Sequence, residues 1–98
     1  MAGTWILRFL GGAYTWAGRH DEAITTLKNA LQKAPNDYLS RLTIIQAYIF
    51  AGRQEEAEAK AAEVLRLNPK FSLENYAKRM TGKNKDLSLE VLRRAGLK

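Results

Sequence analysis

The sequence predicts an all-α fold of stacked helix pairs, about two and a half units long and closed by a C-terminal capping helix. Two observations carry this. The phrase "AYTWAGR" at residues 13–19 returns as "AYIFAGR" at 47–53, and the same 34-residue shift aligns Leu10 with Ile44, Glu22-Ala23 with Glu56-Ala57, and Pro35 with Pro69. A fixed period of this length marks a stacked repeat architecture. Within each copy the apolar residues recur at helical spacing, broken first by Gly and then by Pro.

The elements follow in order. Leu7, Leu10, Gly11 and Tyr14 lie at i, i+3, i+4 and i+7, one face of a first helix. Gly18 ends it, because Gly accepts the left-handed conformation just past a helix C-terminus. A second helix starts near Asp21 and Glu22, whose carboxylates suit its N-terminal dipole. Ala23, Leu27, Ala30 and Leu31 form its buried stripe, and Pro35 stops it. The second copy repeats the plan with Ile44, Ile45, Tyr48, Gly52, Ala57, Ala61, Val64, Leu65 and Pro69. Gly11, Ala23 and Ala57 let paired helices approach closely, while Tyr14 and Tyr48 fill the wider gaps between pairs. Ser72 can cap a further helix with Leu73, Tyr76, Ala77 and Met80 inward, broken early by Gly82. A last helix is expected from about Asp86 to Ala95, with Leu87, Val91 and Leu92 inward and Gly96 as its stop.

Leu7-x2-Leu10-Gly11-x2-Tyr14, then Ala23-x3-Leu27 and Pro35, resembles the tetratricopeptide repeat. Leu7 and Leu27 stand where large aromatics are common, and the second copy departs further with Arg41 and Ala61. The resemblance covers residues 4–69. It implies an antiparallel helix-pair solenoid, a superhelix with a concave groove, and protein binding as the function. Residues 1–98 then read as one domain: repeat 1 over about 4–36, repeat 2 over about 37–70, and a partial repeat with the capping helix over about 71–98. Residues 68–97, "NPKFSLENYAKRM" followed by "LEVLRRAGL", are similar to the C-terminal end of tetratricopeptide regions in certain bacterial proteins. Some of those carry a class III adenylate or guanylate cyclase domain far upstream. The chain has no cyclase domain, so no catalysis is carried over.

Composition narrows the function classes. The chain has no Cys, which removes disulfide and thiolate chemistry and fits a cytoplasmic setting. The apolar start is interrupted by Arg8 and has no preceding cation, so it reads as neither a signal peptide nor a membrane span. His20, the one His, falls in a turn, and Gln54 replaces it in the second copy. Glu55, Glu56 and Glu58 complement a helix dipole. No metal-ligand spacing, phosphate loop or nucleophile set is present, so no enzyme activity, cofactor or metal is expected.

The net charge of +6 is concentrated in the tail, where residues 70–98 hold eight Lys/Arg against three Asp/Glu. Such a cluster can contact phosphates, so a nucleic-acid or anionic-surface binder is the alternative function. Glu74–Lys78 and Glu90–Arg94 at i, i+4 favour a solvated helix face instead. With only Phe71 and Tyr76 among these charges, no stacking platform for single strands is evident, and nucleic acid is not the expected partner.

The resemblance places the groove on the second face of the first helices. In repeat 1 that face is Trp5, Arg8, Phe9 and Trp16; in repeat 2 it is Leu39, Leu42, Thr43, Gln46, Ile49 and Phe50. Such a surface is too apolar to be left in water without a reason. Three occupants are weighed: a peptide or helix from a partner protein; the chain's own last helix or a second copy in a homo-oligomer; or an earlier repeat now missing. The family's dicarboxylate clamp uses Lys, Asn and Arg at groove positions. Only Arg8 has that character here, beside Gly12, Thr43, Leu73 and Ala77, so a chaperone-tail clamp is not carried over.

Overall fold

Glycines end the repeat helices where the sequence expects it. The computed structural model describes residues 4–79 and 85–98 and holds, among these, six helices and no strand. They are α1 (Thr4–Trp16), α2 (His20–Lys33), α3 (Tyr38–Phe50), α4 (Gln54–Leu67), α5 (Leu73–Ala77) and α6 (Lys85–Arg94). The helix starts and stops agree with the sequence reading to within a residue or two, except that α5 is only five residues long. Ser72 does cap α5, its Oγ accepting from the Asn75 N–H. The expected inward Met80 and the break at Gly82 lie outside the described residues.

Three helices end in the same way. Gly18, Gly52 and Gly96 all take positive φ, at 79°, 77° and 105°. The N–H of the following residue then reaches back to the helix: Arg19 to the Tyr14 carbonyl at 2.9 Å, Arg53 to Tyr48 at 2.8 Å, and Leu97 to Leu92 at 3.2 Å. This is the Schellman closure of a helix C-terminus. It folds the residue after Gly over the residue five earlier. Arg19 therefore lies over the Tyr14 ring at 5.3 Å, and Arg53 over Tyr48 at 5.2 Å. Each Arg also meets the next helix, at 2.6 Å from Glu22 and from Glu56. The recurring Tyr, Gly, Arg and Glu thus clip one helix to its successor twice. In α6, buried Leu97 takes the place of the Arg, and the closure is apolar.

The helix pairs pack through a size exchange. A Cβ placed on Gly11 would sit 2.5 Å from Leu27 Cδ2, so α1 and α2 touch only because residue 11 has no side chain. Leu27 is fully buried in the gap. The 34-residue register brings the equivalent positions of repeat 2 to Ile45 and Ala61, with the large residue now on the other helix. Both are buried in the same core cluster. At the junction between repeats, Asp37 receives Ser40 Oγ at 2.7 Å and Arg8 Nη1 at 3.3 Å.

α3 is the central element, packed against α1, α2, α4 and α6. Helix α6 lies on α3, and its Leu89 and Leu92 join the core cluster of Leu42, Ile45 and Tyr48. Gln54 at the start of α4 donates to the Arg94 carbonyl at 2.7 Å, and the Leu73 N–H donates to the Lys98 carbonyl at 2.8 Å. Both bonds hold the C-terminal end of the chain, one to the start of α4 and one to the start of α5. One sequence expectation for α6 is corrected: Leu87 is exposed, and Ser88 and Leu89 are buried with Val91 and Leu92. The docked face is therefore turned by one to two residues from the apolar stripe. Leu10 is a second correction. It is 39% exposed although its repeat equivalent Ile44 is 0% exposed, because among the described residues the helices packed closely against α1 are α2 and α3.

Candidate functional site

The ten residues expected to line a groove fall into two sets. On α1, Trp5 is 60% exposed, Phe9 is 76% exposed, and Trp16 is also exposed. On α3, Leu42 is fully buried and Gln46 nearly so, with the Gln46 amide donating to the Leu42 carbonyl at 3.3 Å. Leu42 and Gln46 lie on the helix that α6 packs against. Thr43, Ile49 and Phe50 are half-buried, and Leu39 is exposed at the start of α3. Arg8 is half-buried and held by Asp37, so its charge is spent inside the repeat junction.

The two helices meet along a narrow seam. A Cβ on Gly12 would lie 3.9 Å from Thr43 Cγ2, an ordinary contact. At the far end, Trp16 meets Phe50 edge-on at 5.3 Å, and His20 stacks on Phe50 at 6.4 Å. His20 is the first residue of α2 rather than a turn residue, and its Nδ1 is buried without a hydrogen-bond partner. Beyond the shared register of Trp16 and Phe50, nothing in the spacing of the residues pointed to this ring cluster.

Helix α1 carries a second exposed stripe, of which the sequence reading places Leu10 on the core face. Ile6, Leu10 and Ala13 face away from the rest of the fold, whereas Ser40, Ile44 and Ala47 at the same repeat positions are fully buried. The signal for it is the register itself: in the second repeat the preceding pair buries this stripe, and among the described residues no pair packs on it in the first. Together with Trp5 and Phe9 it makes α1 apolar on most of its outer surface, with Arg8 as its one charged residue.

Electrostatics gives one measurable handle. Burial pushes the Tyr38, Tyr48 and Tyr76 hydroxyls above their ordinary value of 10.0; nearby Tyr76 adds to the effect at Tyr38, and Glu56 adds to it at Tyr48. The folded state thus favours the neutral phenol, and the unfolded chain ionises first as pH rises. This contribution to stability is complete below pH 10.0 and is lost as pH rises through the folded values. The urea midpoint is expected to hold up to about pH 10 and to fall above it, and to fall less in Tyr48→Phe. An equal fall in that variant would remove Tyr48 from the account.

Stacked helix pairs with an uncovered apolar helix define a helical-repeat protein. Among the described residues no group of three His, Asp or Glu is placed to hold a metal, and no helix is long and apolar enough to cross a membrane. The tetratricopeptide repeat family model matches residues 14–78, and the chain belongs to that family. Tetratricopeptide repeats generally mediate protein–protein interaction and are typically non-enzymatic scaffolds. No curated protein and no solved structure matches the chain at a significant level.

Proposed function

We propose that residues 1–98 act as one protein-interaction unit whose docking surface is the apolar outer face of α1. The observation that carries this is the exposure of Trp5, Ile6, Phe9 and Leu10 on a single helix. Burying large apolar side chains is worth about 1.5–3 kcal/mol each, so the face favours an apolar helix or peptide from a partner. A second copy provides such a helix in its own α1. The low charge of α1 supports that pairing, because two copies of a chain with net charge +6 repel least where the surface is uncharged. Trp16 and Phe50 extend the face towards α3, where the groove narrows.

Sedimentation velocity over a concentration series tests the homotypic reading. The wild type is expected to associate with rising concentration. Phe9→Glu, which alters the most exposed aromatic, and Trp16→Glu are expected to stay monomeric. A wild type that remains monomeric throughout would end the self-pairing reading.

The cysteine-free sequence supports a cytoplasmic site of action. The likeness of residues 68–97 to the ends of cyclase-linked repeat regions supports a regulatory role beside a catalytic domain. The tail's excess of cations supports the alternative, nucleic-acid or anionic-surface reading.

A further inference from the structure

A cleft of about 650 Å³ lies away from the α1 face, between the start of α3 and α5. That volume lies within the range that holds a side chain or small ligand. Its walls are aromatic. Tyr38 meets Phe71 edge-on with ring centroids 5.8 Å apart, and Phe71 meets Tyr76 at 6.3 Å. Lys70 and Arg79 stand exposed on its rim, and Asn75 offers a carboxamide beside them. No carboxylate lines it, and among the described residues neither cation forms an ion pair. An aromatic floor under unpaired cations is complementary to an apolar ring flanked by negative charge.

We infer that this cleft is a docking site for an extended acidic peptide of a partner protein, with one aromatic side chain set between carboxylates. The ring enters among Tyr38, Phe71 and Tyr76 and extends their aromatic cluster. The carboxylates on either side meet Lys70 and Arg79. The Asn75 amide is placed at the rim to bond the peptide backbone. A single nucleic-acid strand fits less well, because successive bases need open, roughly parallel ring faces. Here the rings pack against one another at interplanar angles of 63° and 45°. The inference rests on the reading of the chain as a protein-interaction unit, but not on the α1 face.

Fluorescence anisotropy with the full chain tests it. The probe is a fluorescein-labelled peptide of sequence GDEFDEG at low salt, compared with GKKFKKG and with labelled single-stranded oligo-dT. The acidic peptide is expected to bind saturably and the basic one not at all. The double variant Lys70→Glu/Arg79→Glu is expected to weaken binding about tenfold or more, as is raising salt to about 0.5 M. Both residues are exposed, so this variant retains the fold, and its helical circular dichroism checks that. Phe9→Glu is expected to leave peptide binding unchanged, which separates this site from the α1 face. Absence of saturable peptide binding overturns the inference. So does binding that survives the double charge reversal, or oligo-dT binding in place of the peptide.

Discussion

Leu27→Ala is expected to lower folding stability by roughly 3 kcal/mol, a fall in Tm of about 15 °C for a chain of this size. Leu27 is fully buried, and its side chain fills the space that Gly11 leaves between α1 and α2. Gly11→Ala meets the same space from the other side. Removing a glycine from a helix interior gains about 1 kcal/mol. The new methyl group would lie within contact distance of three Leu27 carbons, and overpacking of this kind costs about 1–3 kcal/mol. The clash is expected to win, leaving a net loss. Gly11→Ile alone is expected to be worse. The double variant Gly11→Ile/Leu27→Ala copies the arrangement of Ile45 and Ala61 in repeat 2. It is expected to recover most of the loss, with a coupling energy of about 1–3 kcal/mol between the sites. Urea denaturation of the four proteins closes the cycle. If the double variant is as unstable as the two single losses added together, the size exchange is not the packing rule of these pairs.

The second large effect concerns α6. Leu92→Asp is expected to undock this helix from α3 at a cost of about 3 kcal/mol. Leu92 is fully buried in the shared core and accepts the bond from the Leu97 N–H that closes the helix. An ionised carboxylate there would have no cationic partner in an apolar site, so the helix lifts away before the charge is buried. Leu42 and Gln46 on α3 would then open to water. Limited trypsin digestion is expected to cut at Arg93 and Arg94 earlier than in the wild type, and a hydrophobic dye to bind more strongly. Leu87→Asp, five residues earlier on the exposed side, is expected to change stability by no more than about 0.5 kcal/mol. Equal losses in the two variants would show that α6 does not dock by the face described.

These effects mark how much was legible beforehand. The period, the glycine closures and most of the apolar stripes of α2 and α4 could be read from spacing because each is decided within a few residues of chain; the exception is Leu65, expected in the α4 stripe but exposed. The Arg–Tyr–Glu clip was visible only as a repeated phrase; the Schellman closure supplies its reason. The rotation of α6 was not legible. Leu87, Val91 and Leu92 form a reasonable helical stripe, yet the partner surface on α3 selects Ser88 and Leu89 over Leu87. The tyrosine and phenylalanine cluster at the cleft was hidden as well, since Tyr38 is remote in sequence from Phe71 and Tyr76. Counting aromatics within the tail alone misses one of its three rings.

Sequence by itself determined the helices, their ends and their pairing into repeats, because caps, turns and periodicity act through the local backbone. Tertiary structure alone decided which equivalent residues became core and which became surface. Leu10 and Ile44 occupy the same repeat position, and one is exposed while the other is buried. Burial belongs to whatever packs across space: among the described residues α3 packs against four helices and α1 against two.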